Sequence, residues 1–271
     1  MKPLRLRILS ALVLAPVALA FAWIGGTAFA VALAITGILI AREWAGLVGH
    51  GMSHAGFWLA VASPPLGLAA YLAFGGETAL VILIAIAAAA LVARAALRAP
   101  SGWMVLGALY AGLPLLCLEI LRDSSETGFY VILWIFAVVW ATDIAAFAVG
   151  RTLGGARLAP SVSPSKTWSG AVGGVAAAGG VGYLTARLIG NTDPLALTLV
   201  SLALGIAVVL GDLGESGLKR RFGAKDTGDL IPGHGGVMDR VDGLLAAAVL
   251  AAAIGFIRRG SGTPAEGVLI W

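Results

Sequence analysis

Three consecutive segments decide the fold: the apolar run LALTLVSLALGIAVVL (195–210), the charged stretch GDLGESGLKRRFGAKDTGDLIPGHGGVMDRVD (211–242) and the apolar run GLLAAAVLAAAIGFI (243–257). Each apolar run approaches the length of about 20 residues that a helix needs to cross a bilayer. The stretch between them holds five of the eight aspartates of the chain. This pattern predicts two membrane-spanning helices joined by a polar segment that carries chemistry.

The composition of the whole chain agrees with a membrane protein. Its 271 residues have a mean hydropathy of +0.96, with 59% apolar and only 12% charged residues. Soluble domains carry about 25% charged residues, so this chain has too few charges to cover a water-facing surface. We interpret the net charge of +4 as basic cytoplasmic loops rather than as a nucleic-acid-binding surface.

Further apolar stretches extend this pattern along the chain and predict an all-α integral membrane protein with about nine spans. We expect residues 1–125 to form five N-terminal spans, and residues 126–271 to form a four-span catalytic region with cytoplasmic loops 150–169 and 211–242. The second span, short as marked, extends toward Val48 if the helix continues through Arg42-Glu43-Trp44. The nine predicted spans are Ile8–Trp23, Thr27–Ile40, Phe57–Phe74, Thr78–Leu97, Trp103–Leu121, Phe129–Val149, Ala171–Ile189, Leu195–Leu210 and Gly243–Ile257.

The distribution of basic residues tests the orientation of these spans. With the N-terminus in the cytoplasm and nine spans alternating, all 18 basic residues fall inside except Arg122, Arg187, Arg258 and Arg259. Cytoplasmic loops of membrane proteins are enriched in Lys and Arg. The nine-span arrangement therefore places both polar loops on the cytoplasmic side, where nucleotides are found.

Glycines crowd the seventh predicted span, including Gly170, Gly173, Gly174, Gly179 and Gly182. No Walker or Rossmann pattern accompanies them. We interpret them as sites of close helix packing. Glycine-rich spans would serve a homodimer as well as packing within one chain, and the sequence leaves both open.

Helical spacing divides the charged stretch into two groups of acids. Asp239 and Asp242 are three residues apart and share a helix face where the ninth span begins. The segment Pro232-Gly233-His234-Gly235-Gly236 interrupts the chain and can fold the two groups together. We therefore expect Asp212, Asp239 and Asp242 to converge at the membrane surface. A second face, at the end of the eighth span, has polar residues at i, i+3, i+4 and i+7: Asp212, Glu215, Ser216 and Lys219.

Converging carboxylates repel one another unless a cation or a shared proton intervenes. Hard oxygen ligands suit Mg²⁺, which commonly bridges carboxylates and substrate phosphates. Gly235-Gly236 let backbone N–H groups approach an anion closely. The positive charge that phosphate oxygens require is supplied by Lys219, Arg220, Lys225 and Arg240.

Asp143 lies within the sixth predicted span, in the sequence WATDIAAF (140–147). An acid within a span costs roughly 2.5–3.5 kcal/mol on insertion scales, which invites a functional explanation. We predict Asp143 as a further metal ligand. A helix-packing hydrogen bond is the alternative.

The stretch SGLKRRFGAKDTGDLIPGHGGVMDRVD (216–242) resembles, without a gap, the C-terminal motif of phosphatidate cytidylyltransferases, also called CDP-diacylglycerol synthases. The matching positions are Ser216, Lys219, Arg220, Lys225, Asp226, Pro232, His234, Gly235, Gly236, Asp239, Arg240 and Asp242. So many matches at fixed spacing make chance agreement implausible.

A second segment, SPSKTWSG (163–170), is similar to the family's Ser-Pro-Lys-Lys-Thr-x-Glu-Gly. Ser165 replaces the first lysine and Ser169 the glutamate, whereas Lys166 and Thr167 are kept. Asp143-Ile-Ala-Ala-Phe with Gly150-Arg151 also looks like the family's upstream segment, and Arg42-Glu43-Trp44 resembles its early loop more weakly. The resemblance runs from about residue 5 to residue 257.

The resemblance implies that CTP and phosphatidic acid react to give CDP-diacylglycerol and pyrophosphate. The reaction would use Mg²⁺, either alone or with a second cation. Asp212, Asp239, Asp242 and Asp143 would hold metal, and Lys166, Lys219 and Asp226 would be catalytic. We expect an integral protein of a bacterial inner membrane that contacts membrane lipid and no nucleic acid, with its active site in the cytoplasm. The predicted substrate-binding residues are Ser163, Thr167, Ser216, Arg220, Lys225, His234, Gly235, Gly236 and Arg240.

Two other functions compete with this interpretation. CDP-alcohol phosphotransferases also use membrane aspartates, but their pattern continues from Asp-Gly through Ala-Arg, whereas Leu-Leu-Ala follows Asp242-Gly243 here. An ion-coupled transporter would use Asp143 and Asp212 as relay groups. The sequence shows no inverted repeat, and its acids cluster on one side.

Overall fold

The computed structural model describes residues 2–49, 55–75, 102–190, 193–231, 235–260 and 262–271. Over these ranges the chain is almost entirely helical, because an apolar segment in lipid satisfies its backbone polar groups within its own helix. The helices are α1 (Lys2–Ile24), α2 (Gly26–Leu47), α3 (Ala55–Phe74), α4 (Gly102–Asp123), α5 (Gly128–Leu153), α6 (Trp168–Ile189), α7 (Pro194–Arg221), α8 (Met238–Arg259) and the short α9 (Pro264–Leu269).

Seven of the described helices, α2 to α8, are long and apolar enough to cross a membrane, and α1 adds the shorter apolar segment Leu12–Ile24. Large apolar side chains on their outer faces are exposed, for example Leu188 at 86% and Ile257 at 85%. A bilayer would cover such faces, since a water-soluble surface of this kind would aggregate. The prediction of an all-α integral membrane protein is confirmed.

The predicted spans agree with the described helices in position. The second span continues through Arg42-Glu43-Trp44 to Leu47, as the sequence allowed. The predicted span at Thr78–Leu97 lies outside the described residues. Helix α7 continues past Leu210 to Arg221, and α8 begins at Met238, so both groups of predicted site acids lie on helices.

A small β-hairpin lies between α5 and α6, where the sequence predicted only a polar loop. Strands β1 (Arg157–Ala159) and β2 (Ser163–Thr167) pair antiparallel, with Arg157 opposite Thr167 and Ala159 opposite Ser163. Strands of 3 and 5 residues are too short for a recognisable alternation of apolar and polar residues.

The described residues form two compact units. The first comprises Met1–Ile120 with Ala224–Val241, and the second comprises Leu121–Gly223 with Asp242–Trp271. Helix α8 therefore begins in the first unit and continues in the second.

Small and polar residues hold the helices of the first unit together. A Cβ atom added at Gly37 of α2 would lie 2.4 Å from Cβ of Pro64, so α2 and α3 meet at a glycine. The Trp44 indole N–H donates to the carbonyl oxygen of Trp103 at 2.7 Å. Ser63 donates in the same way to the carbonyl oxygen of Ala108, at 3.1 Å. These contacts hold α2 and α3 against α4.

Glycines play the same part in the second unit, where α6 packs against α5 and α7. A Cβ atom at Gly174 would lie 2.7 Å from the carbonyl oxygen of Thr142 in α5. One at Gly182 would lie 2.3 Å from Oγ of Ser201 in α7. The interpretation of the glycine-rich span as a packing surface is therefore confirmed, since only glycine allows such close approach.

Candidate active site

The C-terminal end of α7 carries the first half of the site, in the second unit. The apolar run of α7 ends near Leu210, but the helix continues to Arg221 and has 28 residues in all. Asp212, Glu215 and Lys219 therefore stand on one helix face, as their spacing predicted. The rest of the acidic cluster comes from α8.

Helices α7 and α8 approach closely at two glycines next to the acids. A Cβ atom at Gly211 would lie 2.8 Å from both the carbonyl oxygen of Asp242 and Cβ of Ala246. One at Gly243 would lie 2.7 Å from Cγ1 of Val208. The absence of side chains at both positions lets the two backbones approach, and this approach brings the acids of the two helices together.

Three carboxylates meet at this crossing. One oxygen from each of Asp212, Glu215 and Asp242 lies within 4.8 Å of the other two. Glu215 is only 3% exposed, whereas Asp212 and Asp242 are half-buried. Asp212 and Asp242 were predicted as metal ligands. Glu215 was not assigned a role, although its position three residues after Asp212 on the same helix face was the available signal.

Two lysines partly compensate this negative charge. Lys166 forms an ion pair with Asp212, and Nζ of Lys219 lies 2.7 Å from Oε2 of Glu215. The side chains of Lys219 and Glu215 are 11% and 1% exposed, so water screens their attraction weakly. Ser216 adds a long hydrogen bond of 3.5 Å to Oδ1 of Asp212. Both lysines and Ser216 were predicted site residues.

The β-hairpin delivers Lys166 to the cluster. Lys166 is the fourth residue of β2, and the next residue, Thr167, caps α6 by accepting a hydrogen bond from the N–H of Gly170 at 3.1 Å. Arg220 of α7 donates to the carbonyl oxygen of Val162 in the hairpin turn, at 3.3 Å. Ser163 pairs with Ala159 at the start of β2. The motif 163–167 thus reaches α7 through strand geometry that the sequence did not reveal.

Asp143 lies on α5 with an exposed side chain. It stands outside the group of three acids whose oxygens converge.

The remaining predicted residues that the structure describes belong to the first unit, within residues 224–241. Oδ2 of Asp239 accepts hydrogen bonds from the backbone N–H of Thr227, the Thr227 hydroxyl and the N–H of Gly236, each at 2.9 Å. Gly235 adopts φ +83°, a conformation that favours glycine. His234 lies outside the described residues. Lys225, Asp226 and Arg240 are exposed.

Glu43 of α2 also contacts this loop, and the sequence did not assign it a role. Its carboxylate accepts the N–H groups of Val237 and Met238, each at 2.8 Å. The only available signal was the weak resemblance of Arg42-Glu43-Trp44 to the family's early loop. Nothing in the sequence pairs residue 43 with residue 237.

The acidic cluster of the second unit could hold a metal ion. Its donors are carboxylate oxygens from Asp212, Glu215 and Asp242, the hard ligands that Mg²⁺ prefers. Three carboxylates at this separation are stabilised by a divalent cation, because it offsets their mutual repulsion. The described residues thus offer a metal site next to two lysines that suit phosphate oxygens.

Comparison with known proteins identifies the type of enzyme. A model of the cytidylyltransferase family matches residues 5–257. The chain belongs to the cytidylyltransferase family. The resemblance found in the sequence motifs is confirmed, and this family membership makes the chain an enzyme, a nucleotidyltransferase.

Relatives with the name phosphatidate cytidylyltransferase support the assignment. The protein from Brucella suis is 42% identical over 262 residues, which cover 95% of each chain. One from Haemophilus influenzae is 41% identical over 142 residues, which are 51% of this chain and 49% of its own. One from Bacillus subtilis is 37% identical over 147 residues, which are 53% of this chain and 54% of its own.

The crossing of α7 and α8 can be tested with two glycines of α7. Gly211→Ala should push the helices apart and separate Asp212 and Glu215 from Asp242, because the new Cβ atom meets the backbone of Asp242. Gly214→Ala is the matched control, since a Cβ atom there meets nothing within 4 Å. We expect cytidylyltransferase activity to fall about 100-fold in Gly211→Ala, the scale of a misplacement of about 1 Å.

Activity and thermal stability in detergent would be measured for both variants. Equal activity in Gly211→Ala and Gly214→Ala would contradict the role given to this crossing.

Proposed function

We propose that this enzyme transfers the cytidylyl group of CTP to phosphatidic acid, forming CDP-diacylglycerol and pyrophosphate in phospholipid biosynthesis. The observation that carries the proposal is the meeting of three carboxylates with Lys166 and Lys219 at the end of a membrane-spanning helix. This combination suits a charged phosphate reaction at a lipid surface. The names of the relatives point to the same substrates.

The chemistry is a displacement at phosphorus. A phosphate oxygen of the lipid attacks the α-phosphorus of CTP, and the bond between that phosphorus and the bridging oxygen to the β-phosphate breaks. Pyrophosphate leaves with the electron pair of that bond. No protein nucleophile is required, so the protein acts by positioning both phosphates and neutralising their charge.

Residues of the second unit take the central roles in this proposal. Asp212, Glu215 and Asp242 hold Mg²⁺, and Asp143 adds negative charge nearby. Lys166 and Lys219 bind phosphate oxygens, for which their ammonium groups are suited as compact point charges. Bound Mg²⁺ would polarise phosphate oxygens and stabilise the charge of the transition state.

Residues of the loop 224–241 keep the roles that the resemblance implies. Lys225 and Arg240 are exposed cations that bind phosphate, and Asp226 is catalytic. Gly235 and Gly236 belong to the substrate-binding set, because glycine lets the backbone approach an anion closely, and His234 contributes a contact. Asp239 is proposed as a ligand of a second cation. Ser163, Thr167, Ser216 and Arg220 complete the substrate-binding set.

A cytoplasmic site in a bacterial inner membrane follows from the same chemistry. CTP arrives from water, whereas phosphatidic acid presents its phosphate at the lipid surface. The basic residues favour this orientation. A cysteine at Asp229, an exposed loop position, should react with an impermeant maleimide only from the cytoplasmic side, and reaction from outside would contradict the proposal.

The direct test uses the purified protein in detergent with cytidine-labelled CTP, phosphatidic acid and Mg²⁺. We expect label to appear in lipid only when all three are present, with one pyrophosphate released per labelled lipid. Diacylglycerol should not replace phosphatidic acid, because it lacks the attacking phosphate. A folded protein that produces no lipid-linked cytidine would refute the proposal.

Glu215→Gln tests the metal site separately from substrate binding. Removing one negative charge from the cluster should raise the Mg²⁺ concentration for half-maximal activity by about 10-fold or more. Glu126→Gln is the matched control, because it makes the same change at an exposed position between α4 and α5. An unchanged Mg²⁺ requirement in Glu215→Gln would exclude Glu215 from the metal site.

A further inference from the structure

We propose that Glu43 is a positioning residue, which holds residues 224–231 and the first turn of α8 in the conformation that catalysis needs. The proposal rests on the function proposed above, because it concerns residues assigned to that reaction. Among the described residues, the hydrogen-bond partners of Glu43 all lie in the loop and at the start of α8, and Glu43 is not one of the three acids of the acidic cluster.

The hydrogen bonds of Glu43 join α2 to residues far away in sequence. Oε1 accepts the N–H of Val237 at 2.8 Å, and Oε2 accepts the N–H of Met238 at 2.8 Å. Oε2 also lies 3.1 Å from the hydroxyl oxygen of Thr227, whose single proton can be donated either to Glu43 or to Asp239. One side chain therefore contacts both Thr227 and the start of α8.

The position of Glu43 suits a carboxylate in particular. The first N–H groups of a helix have no partner within the helix, and the N-terminus carries partial positive charge. Glu43 satisfies two of these N–H groups at the start of α8, in the manner of a capping residue supplied by another helix. A neutral amide would lose the charge and would place an NH₂ donor against a backbone donor.

The loop backbone is built around this carboxylate. A Cβ atom at Gly236 would lie 2.5 Å from Oε2 of Glu43 and 2.3 Å from Oγ1 of Thr227. A Cβ atom at Gly228 would lie 3.3 Å from Oε1 of Glu43. Glycine at these positions lets the chain close around the acid, which is expected if the contact shapes the loop.

Thr227 connects Glu43 with a predicted site residue. Its hydroxyl lies 3.1 Å from Oε2 of Glu43 and 2.9 Å from Oδ2 of Asp239. Lys225 and Asp226 directly precede it in the chain. A shift of Thr227 would therefore move Lys225, which is proposed to bind phosphate, and Asp226, which is proposed to be catalytic.

The experiment compares Glu43→Gln, Thr227→Val and the double variant with the parent protein and with Glu126→Gln. In Glu43→Gln, kcat/KM for CTP should fall about 10- to 100-fold, the scale of a small misplacement of catalytic groups. The KM for phosphatidic acid should change little. The effects of the two substitutions should be less than additive, because both affect the contact between Glu43 and Thr227. Glu126→Gln should match the parent.

Limited trypsin digestion supplies a readout that does not depend on activity. Lys225 is exposed in the loop, and Arg157 is exposed in the hairpin of the other unit. Glu43→Gln should accelerate cleavage after Lys225 several-fold and leave cleavage after Arg157 unchanged, because only the loop has lost its anchor.

Three results would overturn the proposal: unchanged kcat/KM for CTP, loss of activity without faster cleavage after Lys225, or faster cleavage at both sites with a lowered Tm. The second would indicate a direct role of Glu43, and the third a general structural one. A parent protein without transferase activity would refute the proposed function instead, while the digestion would still decide whether Glu43 holds the loop.

Discussion

The close approach of α7 and α8 is the constraint on which the site in the second unit depends. It places one carboxylate oxygen from each of Asp212, Glu215 and Asp242 within 4.8 Å of the other two. Gly211 and Gly243 permit this approach, since any side chain there would meet the backbone or a side chain of the facing helix. Negative charges at this distance are unfavourable without compensation. Lys166, Lys219 and a divalent cation are the available sources of positive charge.

The need to offset this negative charge explains the length of α7 and the presence of the β-hairpin, because both bring a lysine to the acids. Helix α7 continues past the membrane-spanning run, so that Glu215 and Lys219 pair one turn apart at 2.7 Å. The β-hairpin is short and turns back to α6, which lets Lys166 reach Asp212 while Thr167 caps the next helix. An ion pair of this kind is adaptable, because a lysine ammonium can move between a carboxylate and a phosphate without changing its charge.

The loop of the first unit uses the opposite arrangement. There, the carboxylates of Glu43 and Asp239 accept hydrogen bonds from backbone N–H groups and from Thr227, and so they hold the chain in place. Acids in this protein thus serve two purposes. Those of the α7–α8 crossing face one another and two of them pair with lysines, whereas those of the loop accept hydrogen bonds from backbone N–H groups.

The amino-acid sequence by itself determined the membrane-spanning helices, the helical faces of the site acids and the family. Hydropathy over about 20 residues and spacing of three and four residues are local properties, so Asp212 and Lys219 could be placed on one face from the sequence alone. The tertiary structure decided which acids meet. Glu215 joins the cluster because two glycines bring α7 and α8 together, and Glu43 reaches Met238 across 195 residues. Such contacts depend on how helices cross, and no local pattern encodes the distance between two backbones.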